Sequence, residues 1–286
     1  MIEAILNYEF MRYSFISGIL IGLLAPLIGA FIVVRRLSLI ADALSHVTLG
    51  GISFGMFIIT AFPFMVVFNP IWFGILFAIV GAFLIERLRT SYSNYQEIAI
   101  PIIMSSGIGL SAIFLSLSEG FNQELVGLLF GSISAVAKSD LITVIVIAII
   151  VLLFILFFYK EMFILSFDEE YSKVIGIPRW IQFLFIVIVA LVISASMRVV
   201  GILLVSALIT LPVAIAMRLS KGFKQLIAFS ILIGEFSVIS GLTLAFYMNL
   251  SPGGVIVVVL ILLLIITMLY QKFIANKFVG AGNHER

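Results

Sequence analysis

The chain has 286 residues, of which 63% are hydrophobic and 10% are charged, and its formal net charge is +2. Soluble domains carry about 25% charged residues, so this composition excludes an ordinary soluble protein. The basic residues form no patch of the kind that binds nucleic acid. The absence of cysteine excludes both disulfides and thiolate metal sites.

Apolar runs of about 20 residues recur along the sequence, and each is long enough to cross a bilayer as an α-helix. The runs are continuous rather than alternating, which excludes a membrane-spanning β-barrel. We predict an all-α, polytopic membrane protein of eight to nine transmembrane helices, with residues 1–286 forming one transmembrane domain. The predicted spans are 14–34, 38–60, 64–85, 97–117, 138–159, 180–196, 199–217, 223–247 and 252–271, followed by a polar tail at 272–286.

The second predicted span contains two ionisable residues, Asp42 and His46. Ionisable groups at membrane depth cost a few kcal/mol on insertion scales, so they usually mark a substrate path. At spacing i, i+4 the two side chains lie on one helix face, with Cβ atoms about 5–6 Å apart. They are therefore candidate ligands for one cation. The structural alternative is a locally capping or paired aspartate beside a hydrogen-bonded buried histidine.

Two stretches leave the number of spans open. The stretch 180–217 is too long for a single span, and Arg198 is its natural break. The stretch 120–137 is Gly- and Ser-rich, and we predict either a re-entrant or a surface segment there.

The longest polar interruption follows the fifth span. Its residues Ser166 and Glu169 fit the S-x-x-E capping box at a helix start, and Gly176 followed by Pro178 fits a helix end. Between them, apolar residues fall at i, i+4, i+7 and i+8, namely Phe167, Tyr171, Val174 and Ile175. This pattern predicts an amphipathic helix of about nine residues within 166–178.

The apolar face of this short helix needs a packing surface, because isolated helices of this length are marginal in water. One possibility is that the face packs on the bundle itself or on lipid headgroups. The other is that the helix docks a soluble partner.

Charge distribution predicts the orientation. With nine spans and an outside N-terminus, thirteen of the 16 Lys and Arg residues lie on the cytoplasmic side, and Arg12, Lys138 and Arg198 lie outside. The positive-inside rule then predicts a cytoplasmic C-terminus.

A second deep acid, Glu235, lies in the middle of the eighth span. It is either a second ligand or proton-linked group, or a residue hydrogen-bonded between helices, with Ser237 or Thr243 as partner. We do not include it in the predicted metal site. His284 lies in the polar tail.

Five stretches, in this order, carry a family resemblance: Val33–His46, Leu128–Gly131, Ser166–Pro178, Val200–Ala216 and Ser251–Gly254. Together they resemble the permease subunit of the zinc- and manganese-uptake ABC transporters, and the match runs over most of the chain. Within the first stretch, Arg35–Asp42 looks more like the zinc branch than the manganese branch.

The resemblance implies a homodimer in the cell membrane, bound to two cytoplasmic ABC ATPase subunits and supplied by an extracellular metal-binding protein. It implies a transported Zn²⁺ or Mn²⁺ ion rather than a permanent cofactor, with ATP hydrolysis on a separate chain. Asp42 and His46 match the metal-handling pair of the family. The residues that match the helix coupling to the ATPase are Phe167, Asp168, Glu169, Tyr171, Val174, Ile175 and Gly176.

A pore along the two-fold axis of such a homodimer would bring together two copies of Asp42 and His46. Two imidazoles and two carboxylates suit Zn²⁺ at about 2.0–2.2 Å, and Mn²⁺ accepts the same ligands with added water.

Two other functions remain open on the sequence. A secondary transporter would require more intramembrane charges for ion coupling than the three present. A non-transporting scaffold would leave the Asp42–His46 pair unexplained. An enzyme is disfavoured, since no nucleophile–base set and no phosphate loop is present.

Overall fold

The computed structural model describes residues 7–62, 64, 69–92, 95–118 and 123–282. All regular secondary structure in these ranges is helical, and nine helices within them are long and apolar enough to cross a membrane. The predicted all-α polytopic fold is therefore confirmed.

The nine long helices are α1 (Glu9–Val34), α2 (Leu39–Ala61), α3 (Pro70–Ser91), α4 (Ala99–Leu117), α6 (Lys138–Phe167), α8 (Arg179–Ser196), α9 (Ile202–Leu219), α10 (Phe223–Met248) and α11 (Pro252–Gly282). Two short helices, α5 (Gln123–Phe130) and α7 (Glu169–Val174), lie between long ones, and a 3-10 turn at Gln96–Ile98 precedes α4.

Successive long helices run in opposite directions, so α1, α3 and α6 end at one face of the bundle, where α7 also lies. Contacts across this face include hydrogen bonds from Gln182 to Glu86 and from Arg218 to Gln271. We call it the basic end, because its turns carry basic residues that include Arg35, Arg36, Arg87, Arg89, Lys173, Arg179 and Arg218.

Four predicted boundaries differ from the observed helices by more than a turn, and two of them are the start of α1 at Glu9 (predicted near 14) and the end of α3 at Ser91 (predicted near 85). The third span begins at Pro70 rather than near 64, because the Asn69 side chain accepts a hydrogen bond from the Ile71 amide (3.1 Å) and so caps the helix. Helix α6 continues through the polar residues 159–161 to Phe167. The last span is confirmed, since Pro252–Lys272 agrees with the predicted 252–271; the helix α11 itself continues to Gly282, and residues 283–286, with His284, lie outside the described part.

The predicted break at Arg198 is confirmed, and the charge has local partners. Arg198 lies in the turn between α8 and α9, where its guanidinium pairs with Asp140 (3.4 Å) and donates to the Ala135 carbonyl (3.1 Å). The Asp140 carboxylate also accepts a hydrogen bond from the Ala137 amide (2.8 Å). Arg198 thus fixes the loop that joins α5 to α6. In return, the loop supplies partners for the guanidinium charge, which would otherwise be costly between two spans.

Three glycines bring three chain segments into backbone contact at the end opposite the basic end. A Cβ on Gly131 would meet the backbone of Val199, one on Gly201 would meet the Leu129 carbonyl, and one on Gly253 would meet the Val200 carbonyl. We call this contact the glycine knot. It joins the end of α5, the turn before α9 and the start of α11, and it shows that three of the sequence motifs meet in space.

Helix α1 lies at the centre of the bundle, and most of its length is buried. Gly18 and Gly22 pack on Val238 of α10, and Gly29 packs on the Ile209 backbone of α9. Without a hydrophobic driving force between helices in lipid, such close van der Waals contact is a main source of helix association. Gly18 and Gly22, four residues apart, thus form a small-residue surface on which α10 packs closely.

The glycine knot makes a prediction about stability. Gly201 has φ +89° and ψ 143°, a conformation that is essentially restricted to glycine and costs other residues about 1–3 kcal/mol, and its Cβ would also overlap backbone atoms. We expect Gly201→Ala to lower the thermal unfolding midpoint of the detergent-purified protein. Gly176→Ala is the matched control, since Gly176 also has positive φ (+82°) but a Cβ there meets nothing within 4 Å. Equal midpoints for the two variants would contradict the proposed overlap.

Candidate functional site

The two candidate metal ligands lie close to the beginning of helix α2. Asp42 is in its first turn, and His46 is about 10 Å along the axis from Leu39. Both side chains are half-buried and lie one turn apart on the same face.

Neither side chain makes a hydrogen bond or an ion pair with any residue in the described ranges. The neighbouring hydroxyls behave differently: Ser45 donates to the Ala41 carbonyl (2.8 Å) and Thr48 to the Leu44 carbonyl (2.7 Å). The local pairing offered as the structural alternative for Asp42 is therefore absent within the described chain. The carboxylate and the imidazole keep their lone pairs available for a ligand.

Two glycines on neighbouring helices clamp α2 at the level of His46. A Cβ on Gly107 of α4 would lie 2.7 Å from the Val47 nitrogen and 2.8 Å from the His46 carbonyl carbon. From the other side, a Cβ on Gly81 of α3 would lie 2.9 Å from Val47 Cγ1. Helices α3 and α4 thus fix the position of the candidate ligands by direct contact with α2.

One copy of the chain supplies too few ligands for a closed metal site. Among the described residues, no group of three or more His, Asp or Glu side chains is arranged to hold a metal ion. A zinc site normally requires four ligands, or three and a water. Asp42 and His46 therefore form half of a site at most, and the remaining ligands have to come from a second copy, from water or from a partner.

The outward face of α4, beside the candidate ligands, carries small and weakly polar residues. Ser105, Gly109, Ala112 and Ser116 follow one another at helical spacing, and all four are exposed in the single chain. Faces of this kind allow close helix contact within a membrane.

Glu235 lies apart from the Asp42–His46 pair, on α10. Its Oε2 atom would be 3.3 Å from a Cβ on Gly22 of α1. The suggested hydrogen bonds to Ser237 and Thr243 were wrong, since these hydroxyls donate to the carbonyls of Ile233 and Ile239.

The short helix α7 differs from its sequence pattern at the start. The predicted capping box was wrong, because Ser166 remains inside α6 and donates to the Met162 carbonyl (2.7 Å). Asp168 ends α6 with an extended backbone and caps α7, accepting a hydrogen bond from the Tyr171 amide (2.8 Å). The predicted nine-residue helix consequently has six residues, Glu169–Val174, and Phe167 belongs to the preceding helix.

The predicted stop at Gly176 is confirmed. Gly176 has φ +82°, its amide donates to the Lys173 carbonyl, and the Ile177 amide donates to the Ser172 carbonyl. These two hydrogen bonds form the Schellman motif that ends helices at glycine.

The two sides of α7 have opposite surroundings. Its hydroxyl residue Ser172 faces the bundle and is buried. The apolar residues of α7 and its C-cap face away from the bundle, with exposures of 55% for Tyr171, 83% for Val174 and 49% for Ile175. Phe167 is also exposed, although its ring contacts Phe163 and Phe223.

A polar cluster that the sequence did not predict lies beneath α7, at the basic end. Arg89 is nearly buried, pairs with Glu86 (3.7 Å) and donates to Gln96 Oε1 (3.0 Å), while Gln182 donates to Glu86 (3.4 Å). We call these four residues the Arg89 cluster. The Glu86/Arg89 spacing of i, i+3 at a span end was the only signal available, and it is shared with ordinary surface pairs.

Comparison with known proteins places this arrangement in a family. The model of the ABC 3 transport family matches residues 7–271. A probable metal transport system membrane protein of Treponema pallidum is 32% identical over 250 residues, which cover 87% of this chain and 91% of that protein. A manganese transport system membrane protein of Listeria monocytogenes is 29% identical over 270 residues, which cover 94% of this chain and 93% of that protein.

The fold agrees with these matches. The solved structure of PsaBC from Streptococcus pneumoniae in complex with Fab superposes with a TM-score of 0.79 at 28% identity, covering 93% of each chain. Because the family model spans almost the whole chain and the Treponema protein exceeds 30% identity over most of both sequences, the chain belongs to the ABC 3 transport family of membrane metal-transport permeases.

Proposed function

We propose that this chain is the membrane-spanning permease subunit of an ATP-driven importer of a divalent metal ion. The observation that carries the proposal is the Asp42–His46 face of α2, on which two ionisable side chains are half-buried and have no protein partner in the described chain. Family membership supplies the transport class, and this face supplies a place for the ion.

The proposed pore lies between two copies of the chain. A homodimer would complete the half-site with a second Asp42 and a second His46, giving two nitrogen and two oxygen ligands. The small outward face of α4 next to the pair supports close approach of a second copy. A permanently closed four-ligand site would trap the ion, so the ligands converge in one conformation and separate in another.

A separate cytoplasmic ATPase drives this cycle in our proposal, and the chain itself is not an enzyme. Helix α7 supports a docking role, because its apolar side chains face away from the bundle and leave a surface to be covered. The coupling surface consists of Phe167, Asp168, Glu169, Tyr171, Val174, Ile175 and Gly176.

The orientation follows from charge. We propose that the basic end faces the cytoplasm, which places α7 and the C-terminus there. The end with the glycine knot then faces outward, where an extracellular metal-binding protein delivers the ion.

We propose zinc as the transported ion, on the donor set of imidazole and carboxylate and the zinc-like stretch Arg35–Asp42. Manganese is the second candidate: the Listeria protein is named for manganese transport and a Streptococcus gordonii protein, 29% identical, for manganese import. Both ions accept these ligands, so measurement has to decide between them.

The first prediction concerns the ligand pair. In cells that lack this chain, the wild-type gene should restore the cellular content of zinc, measured by elemental mass spectrometry. Asp42→Ala and His46→Ala should fail to restore it, because each removes half of the ligands that one copy contributes. Leu39→Ala, an exposed position one turn before Asp42, is the matched control and should restore uptake.

Each other outcome has a defined meaning. Restoration of manganese by the wild type would identify manganese as the transported ion and would still support the transporter function. Normal uptake by both alanine variants, at equal protein level, would remove the pair from the mechanism. No change in either metal on returning the wild type would favour the non-transporting scaffold.

The second prediction tests the clamp on α2. Gly107→Ala should reduce metal uptake several-fold, because the added methyl group pushes α4 from the His46 backbone. Gly127→Ala, inside helix α5, is the control and should leave uptake unchanged, because a Cβ there meets only Ser132 Cβ at an ordinary 3.6 Å. Both changes favour the helix by about 1 kcal/mol, so helix propensity cannot account for a difference. Equal uptake by the two variants would argue against a role for this contact.

The third prediction tests the docking face. Tyr171→Asp places a charge in the apolar face and should abolish co-purification of the ATPase subunit in mild detergent. Tyr8→Asp is the matched control, since Tyr8 is equally exposed (56%) but lies at the opposite end of the bundle. Retention of the ATPase by Tyr171→Asp would rule out docking through α7, and an absent ATPase even with the wild type would favour a secondary transporter.

A further inference from the structure

The Arg89 cluster lies beneath helix α7 and joins the two helices that clamp the candidate metal ligands to α8. Glu86 and Arg89 lie at the end of α3, Gln96 in the turn that begins α4, and Gln182 in the first turns of α8. The cluster therefore joins three helix ends through side-chain hydrogen bonds and one ion pair.

This cluster forms part of the wall of a cavity of about 200 Å³ beneath α7. The other side of the cavity is formed by Ser172 and Lys173 of α7 and by the connection from α7 to α8, at Ile177–Arg179. Any displacement of α7 toward or away from the bundle consequently changes the space next to the Arg89 cluster.

The cluster is also linked to α2 through the bundle. Gly81, which contacts Val47, lies on α3 five residues before Glu86, and Gly107, which contacts the His46 backbone, lies on the helix that Gln96 begins. The two helices that clamp α2, α3 and α4, are thus linked at the basic end by the Arg89–Gln96 hydrogen bond. A shift of α3 relative to α4 at the basic end would be felt at His46 without any contact between His46 and the cluster.

The burial and polarity of the cluster suit a connection that can change between arrangements, rather than a fixed structural contact. The Arg89 side chain is 6% exposed, and that of Glu86 is 18% exposed. Breaking a pair that is this deeply buried leaves an uncompensated charge, so a buried polar network favours a few discrete arrangements. Elements with discrete arrangements are what carry energetic coupling between distant sites.

We propose that the Arg89 cluster is the joint through which the state of helix α7 sets the distance between α3 and α4, and hence the geometry of Asp42 and His46. The residues of the cluster are positioning residues: they do not touch the ion, and they act through α3 and α4. This inference rests on the proposed function, because it assumes that α7 senses the ATPase.

The test compares ATP hydrolysis with metal transport in the complete complex. The chain is purified with its ATPase subunits, reconstituted into liposomes and supplied with its metal-binding protein and Zn²⁺ or Mn²⁺. We expect Arg89→Gln to lower the metal transported per ATP hydrolysed about tenfold, a size typical of coupling energies, while the complex assembles and hydrolyses ATP within about twofold of wild type.

Two further variants keep the proposal testable if Arg89→Gln does not assemble. Arg89→Lys keeps the charge but loses the forked geometry, and should give an intermediate ratio. Gln182→Glu has the same size but places a carboxylate beside Glu86, and should lower the ratio as well. Arg87→Gln is the matched control, because Arg87 is exposed on the same helix and belongs to no part of the cluster.

The outcomes separate this inference from the proposed function. A wild-type complex that moves neither metal on ATP hydrolysis contradicts the proposed function itself. If the wild type transports and the Arg89 and Gln182 variants keep its ratio of metal to ATP, the cluster is not a joint. A parallel loss of transport and hydrolysis in assembled complexes would also overturn the inference, since it would place the cluster in docking rather than in transmission.

Discussion

The candidate metal site depends on the direct contact of helix α2 with the two helices beside it. Gly107 and Gly81 bring α4 and α3 against the backbone and side chain of residues 46–47. In lipid, where no hydrophobic force drives helices together, this close contact decides where α2 lies. Because the glycines hold the helix, Asp42 and His46 take no part in holding it and stay available to an ion. The packing of α2 by glycines is therefore what leaves the Asp42 and His46 side chains without a structural role.

Most of the fold could be predicted from sequence, because span length and continuous apolarity report directly on bilayer thickness. The break at Arg198 and the stop at Gly176 were also predicted correctly, since the stretch 180–217 is too long for a single span and Gly176 adopts the positive φ that ends many helices. The errors arose where a local pattern depends on what precedes it. The S-x-x-E pattern at Ser166 indicates a cap only if the chain has already left a helix, and α6 had not ended there. Asn69 and Pro70 began α3 inside a stretch whose apolarity alone suggested an earlier start.

The candidate site divides in the same way. Asp42 and His46 were found from their spacing within one helix, which needs no tertiary information. The Arg89 cluster could not be predicted from spacing within one helix, because Glu86 and Gln182 are 96 positions apart and come together only through the packing of α3 on α8. The charge distribution only placed Arg89 on the cytoplasmic side, whereas the structure buries it. The glycines of the knot were likewise recognised as parts of separate motifs, and only the fold reveals that they touch.

The outward apolar side of α7 has a consequence for how cells make this protein. If the basic end faces the cytoplasm, the exposed apolar surface of Tyr171, Val174 and Ile175 lies in water rather than in lipid. Exposed apolar surfaces favour unwanted association. A subunit synthesised without its partner would offer this surface to chaperones and proteases, which remove proteins with uncovered apolar segments. The cellular amount of the permease would then follow that of the ATPase, and balanced synthesis of the two chains becomes a condition for accumulating either one in working form.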